Sequence, residues 1–168
     1  MNAKTAHMGL LLAFALILSY IESLIPFSFG VPGIKLGLAN LSVLLCIYLT
    51  GYGQALCLTV SKAVICGFLF GNLSVILYSL AGSLLSFLIM AAMARSGRFH
   101  LPVVSAAGGV MHNMGQVIVA YLVIRTYGIW YYVPVLILAG FAAGAVNGIL
   151  AALVMPYLKK AVWREGNL

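Results

Sequence analysis

Few residues in this chain can do chemistry, and they stand where so apolar a sequence keeps polar groups only at a cost. Glu22, Lys35, Asn40, Lys62, His112, Asn113 and Gln116 carry charge or amide hydrogen-bonding capacity within or beside long apolar runs. An ionisable side chain at membrane depth costs at least about 2.5–3.5 kcal/mol unless it is paired or wet. The residue types rule out most reactions. There is no Asp, and the two glutamates, Glu22 and Glu165, lie at opposite ends of the chain. A magnesium-diphosphate site built on clustered carboxylates is therefore excluded. His112 has no Ser or Cys nucleophile arranged with an acid, and no GxxxxGK[ST] motif supplies ATP chemistry. Cys46, Cys57 and Cys66 sit inside apolar runs without a CxxC pair, so they read as small buried hydrophobes rather than disulfide partners or metal ligands. The expected role is recognition, with no catalysis and no cofactor.

The stretch Val31–Asn40, VPGIKLGLAN, breaks the backbone at Pro32 and Gly33 and then resumes helix with Lys35 in its first turn. The helix macrodipole is positive there and repels a cation. Lys35 either meets an anion, in the protein or in a ligand, or snorkels to a headgroup. Lys62 falls near the middle of its apolar run, too deep to snorkel. In HNMGQ, His112, Asn113 and Gln116 fall near mid-depth, with Ser105 and Gly109 expected on much the same face as His112 and Gln116. At about 1.5 Å rise per residue, these positions lie between the bilayer centre and the outer surface. Two accounts fit: an outward-opening polar pocket, or an internal network in which Glu22 pairs with Lys35 or Lys62. Two cations against one buried anion leave positive charge over, which favours an anionic ligand.

The elements that must position these residues are apolar helices. Of 168 residues, 64% are hydrophobic and 7% charged, with a mean hydropathy of +1.16; soluble domains are about 25% charged. The chain reads as one all-α integral membrane domain over 1–168, a compact bundle of six transmembrane helices with no soluble domain. The spans run roughly Met8–Ile25, Leu36–Thr50, Gln54–Phe70, Leu73–Met93, Leu101–Ile124 and Trp130–Tyr157, the second and third being short for the bilayer. The first run reads as a retained helix rather than a cleaved signal. The net charge of +7 comes from scattered residues at the ends of runs, a topology signal and not a nucleic-acid footprint. With the amino terminus inside, Lys4, Arg95, Arg98, Lys159, Lys160 and Arg164 are inner and Lys35 and Arg125 outer, which places both termini in the cytoplasm. Phe27, Phe29, Tyr127, Trp130, Tyr131 and Tyr132 then form an outer aromatic belt. Gly140, Gly144 and Gly148 recur every four residues as a helix-packing face, and Gly9 and Ala13 form a weaker pair of the same kind.

The segments IESLIPFSFGVPGIKLGLANL, SLAGSLLSFLIM, GGVMHNMGQ and YYVPVLILAG resemble the Gx transporter family, often labelled heptaprenyl diphosphate synthase component I, over nearly the whole chain. That family is grouped with the substrate-binding S components of energy-coupling factor (ECF) importers of prokaryotic cell membranes. The resemblance implies a six-helix protein that binds a small vitamin-like or prenyl/quinone-related molecule from outside and associates with a transmembrane T subunit and an ATPase pair. By the resemblance, Gly9 and Ala13 would face the T subunit, with Gly9 standing where the family's AxxxA motif has its first alanine. Lys35, Asn40, Lys62, His112, Asn113 and Gln116 would contribute to the pocket, to which the reading of the polar residues themselves adds Glu22. Two other readings remain: a noncatalytic membrane partner of a prenyl synthase or quinone pathway, and a membrane scaffold in flavin- or quinone-linked electron transfer. Neither a CxxCH motif nor a cysteine cluster marks the latter.

Overall fold

The computed structural model describes residues 3–24, 37–125 and 127–165. Over these it is all helical, with α1 Ala3–Leu24, α2 Asn40–Leu49, α3 Tyr52–Phe70, α4 Leu73–Ser96, α5 Leu101–Ile124, a 3-10 segment Tyr127–Tyr132, and α6 Val133–Glu165. Local sequence sets several of these ends. Asn72 caps α4 by accepting the Val75 amide at 3.0 Å, and Gly97 closes the same helix in the left-handed conformation at φ +66°. Pro102 occupies the first turn of α5, where its missing N–H costs nothing.

The expectation of six spans is met by five helices of 19 to 34 residues that are long and apolar enough to cross a membrane. The second differs. It is a ten-residue helix, about 15 Å long, half of a hydrocarbon core. The apolar run begins at Leu36, but Gly37 takes φ +84° and helix starts only at Asn40. α2 is wrapped by the rest of the bundle, with every residue from Asn40 to Ile47 buried. The last span is likewise redistributed: Trp130–Tyr132 belong to the 3-10 segment, and the helix proper continues to Glu165.

Contacts fix the helix directions. Gly109 lies against Gly140, Ser105 against Gly144 and Pro102 against Gly148, so α5 and α6 run antiparallel. A methyl added at Gly144 would stand 2.5 Å from the Ser105 carbonyl oxygen, and one at Gly140 would stand 2.6 Å from that of Gly109. These backbones touch directly, as small residues allow. α4 and α5 are joined the same way, Gly82 against the His112 carbonyl and Gly115 against Ala81. Tyr20 meets Phe70 at 5.3 Å between ring centroids, so α1 runs with α3. The Met8–Cys46 and Glu22–Gly37 contacts set α1 against α2. The result is an up-and-down bundle in which α4, α5 and α6 form a tightly apposed block. α1 lies at the periphery, with 22% of its apolar window buried against 61% for α5, and is the helix least held by its neighbours. The main apolar core gathers around α2, with Leu44, Cys46, Ala55, Leu58, Met90, Val104 and Ala151 almost fully enclosed. A smaller cluster of Tyr78, Val117, Ala120, Ile129 and Leu136 closes the end that carries the 3-10 segment. Large apolar side chains such as Phe68, Leu138, Leu153 and Tyr157 are exposed on the outer faces, as a lipid-facing surface requires.

Candidate ligand-binding site

The start of α2 is a polar knot tied to five other helices. The Gly37 amide donates to Glu22 Oε1 of α1 at 2.5 Å. Its carbonyl accepts from the Asn147 amide of α6 at 3.3 Å and from the Asn40 backbone at 2.9 Å. Asn40 Oδ1 accepts from Lys62 Nζ of α3 at 2.7 Å, and Asn40 Nδ2 donates to Ser86 Oγ of α4 at 3.4 Å. From α5, the His112 ring packs against Gly37, where an added methyl would stand 3.1 Å from it. The positive φ and the two close neighbours together require glycine at this position.

Lys62 stands ten residues into α3, about 15 Å from its start and so near mid-depth, and is 4% exposed. Glu22, Asn40 and His112 are buried as well. Beside the knot lies a cavity of about 20 Å³, lined by Ser19 and Glu22 of α1, Gly37 and Ala39, Lys62 and Cys66 of α3, Ser79 and Ser83 of α4, and His112. Such a space holds about one water. Two larger crevices, each about 310 Å³, are wholly apolar and lie elsewhere on the bundle.

The structure thus brings Glu22, Asn40, Lys62 and His112 together. Gln116 is fully buried beside Gly82 and does not line the cavity. Asn113 turns away: its Nδ2 donates to the Leu136 carbonyl of α6 at 2.7 Å. The single face expected for Ser105, Gly109, His112 and Gln116 divides in two. Ser105, Gly109 and Asn113 address α6, whereas Gly108, His112 and Gly115 address α4. Lys35 lies outside the described residues, as do Pro32 and Gly33. Gly9 and Ala13 are exposed on α1, and nothing lies within 4 Å of a methyl placed on Gly9. Sequence reasoning passed over Ser19, Ser79, Ser83, Ser86 and Asn147. The spacing Ser79–Ser83–Ser86 in SLAGSLLSFL is the signal for one polar stripe on α4. Among the described residues, no group of three His, Cys, Asp or Glu side chains is placed to hold a metal ion.

Five long apolar helices around a buried polar centre define a multi-pass α-helical membrane protein. Within that class, the family model for heptaprenyl diphosphate synthase component I matches residues 11–154, and the chain belongs to that family. The match runs from α1 into α6 and takes in the whole polar knot. No curated protein and no solved structure matches the chain.

Proposed function

We propose that this protein is the substrate-binding membrane subunit of an ECF-type importer and takes a small anionic molecule. The carrying observation is Lys62, buried at mid-depth and hydrogen-bonded to Asn40 at the amino end of a half-length helix. Half-helices that end inside a membrane protein direct their positive dipole ends at anionic groups of the cargo, and Lys62 adds a full charge to that field. In the present conformation the carboxylate on this helix end is the protein's own Glu22. An incoming carboxylate or phosphate exchanges with it. Ser79, Ser83 and His112 supply further hydrogen-bonding groups around the same space.

A cavity of about 20 Å³ is far below the roughly 300 Å³ that a small-molecule ligand needs. Admission of cargo therefore requires the bundle to part. The glycine contacts hold α4, α5 and α6 together, so α1 is the helix that yields, opening the Glu22–Gly37 contact. The exposed Gly9–Ala13 face supports docking to a T subunit that brings an ATPase pair. The exposed Arg95, Arg98, Lys159 and Lys160 support a cytoplasmic position for that end and for both termini in a prokaryotic cell membrane.

The family description favours a second reading, a noncatalytic membrane partner of a soluble prenyl diphosphate synthase. The absence of Asp from the sequence leaves the metal chemistry to such a partner. Mass spectrometry of everything that copurifies with the gently solubilised protein tests both. A T subunit, two ATPases and a bound anion are expected. A prenyl synthase without ATPases would overturn the importer reading.

A further inference from the structure

The carboxylate of Glu22 is seated on the peptide N–H of Gly37, across the boundary between α1 and the approach to α2. Both residues line the same small cavity as Lys62. Gly37 makes the contact from a backbone at φ +84°, a conformation that costs little only for glycine. The groups around this carboxylate are held more firmly than the carboxylate itself. Gly37 is bound through its carbonyl to Asn147 of α6, and Lys62 is bound to Asn40. α1, by contrast, is the least buried of the long helices, and Glu22 stands two residues before its end at Leu24. Withdrawal of α1 removes the carboxylate and leaves the peptide N–H and the ammonium group in place. Charge then selects what can follow it. Among the described residues lining the cavity, Glu22 is the one carboxylate and Lys62 the one lysine or arginine, so their formal charges cancel. A monocarboxylate restores that balance. A diphosphate brings several negative charges to one ammonium group, and each charge left unpaired at membrane depth is costly.

We propose that the Gly37 N–H and Lys62 form a carboxylate acceptor that Glu22 fills as an internal stand-in, and that the cargo is a molecule with a single carboxylate that binds by displacing it. This narrows the anionic cargo of the importer reading and rests on that reading. Glu22 is then a competitor of the cargo and not one of its ligands, so its removal strengthens carboxylate binding, whereas removal of Lys62 weakens it.

The test is chemical rescue, read by thermal unfolding in detergent. Glu22→Ala deletes a fragment with the heavy atoms of acetate, beside a cavity that already has room for about one water. Sodium acetate at about 100 mM is expected to raise the Tm of this variant by about 3 °C or more, the response of a site with a Kd on the order of 10 mM. The unaltered protein, its acceptor already filled, is expected to show no such shift at the same ionic strength. Neutral acetamide and inorganic diphosphate are expected not to reproduce the rescue, and adding Lys62→Met is expected to abolish it. Glu22→Gln keeps the volume of the side chain and removes its charge; it should show a smaller acetate shift in the same direction, which serves if the alanine variant does not fold. Absence of an acetate shift in every Glu22 variant that folds would overturn the proposal, as would an equal shift with acetamide or a larger one with diphosphate. The importer reading is judged separately by what copurifies. A T subunit and ATPases with a bound diphosphate would keep that reading and overturn this proposal. A prenyl synthase without ATPases would overturn that reading, and the acetate response would still decide whether the acceptor exists.

Discussion

Replacing Lys62 with Met separates a cation kept for an incoming anion from one kept to hold helices together. The side chains are similar in length, so packing is largely preserved. The variant loses the 2.7 Å bond to Asn40, worth about 1.5–3 kcal/mol for a charged donor. It also removes an ammonium group from mid-depth, where keeping it costs about 2.5–3.5 kcal/mol. These two terms are of opposite sign and similar size, so they largely offset each other. Fold stability should change by about 1 kcal/mol or less, a few degrees in Tm. The bound anion, by contrast, loses a charge-assisted partner worth about 1.5–3 kcal/mol, or roughly 10- to 150-fold in affinity. Thermal unfolding in detergent reads the first quantity, and the amount of copurified anion per protein reads the second. Lys62→Arg, which keeps the charge, should retain more of the anion than Lys62→Met. A Lys62→Met protein destabilised by about 3 kcal/mol or more, with its anion content unchanged, would refute the reasoning and make Lys62 a structural tie.

Other outcomes follow from the same geometry. Gly140→Ala puts a methyl 2.6 Å from the Gly109 carbonyl oxygen and 2.9 Å from Asn113 Nδ2, so thermal unfolding should show a loss of about 1–3 kcal/mol. Gly9→Ala meets nothing within 4 Å and should be neutral or gain up to about 1 kcal/mol; similar melting of the two variants would contradict the assigned α5–α6 contact. Gly37→Ala forces a side chain into φ +84°, costing about 1–2 kcal/mol for the backbone alone, and should lower both Tm and anion retention. In a cysteine-free background, Tyr131→Cys should react with a membrane-impermeant maleimide added to intact cells and Arg98→Cys should not; the reverse pattern would invert the orientation proposed for the bundle.

Much of the fold was legible because hydropathy over a span is a sum, and sums tolerate local error. Five of the six expected runs became helices of spanning length. The sixth failed for a reason that hydropathy does not register. Gly37, Leu38 and Ala39 are apolar, yet they form a non-helical entry to α2, and only the positive φ at Gly37 reveals it. The half-length helix that results puts Asn40 beside Lys62 near mid-depth, whereas a full span would have left it at the outer end. Depth along each helix was readable from rise per residue, and it placed Lys62 and His112 at one level. Direction around each axis was not. His112 and Asn113 are neighbours in sequence and about 100° apart around the helix, so one packs on Gly37 while the other reaches the Leu136 carbonyl of α6. Nothing local distinguishes Asn147 as the partner of Gly37, 110 residues away. The serines of α4 had a readable period, but a hydroxyl costs little in a helix because it can bond back to its own backbone. Serine spacing therefore becomes informative only once a buried charge on a neighbouring helix shows which face looks inward, and in this protein that charge is Lys62.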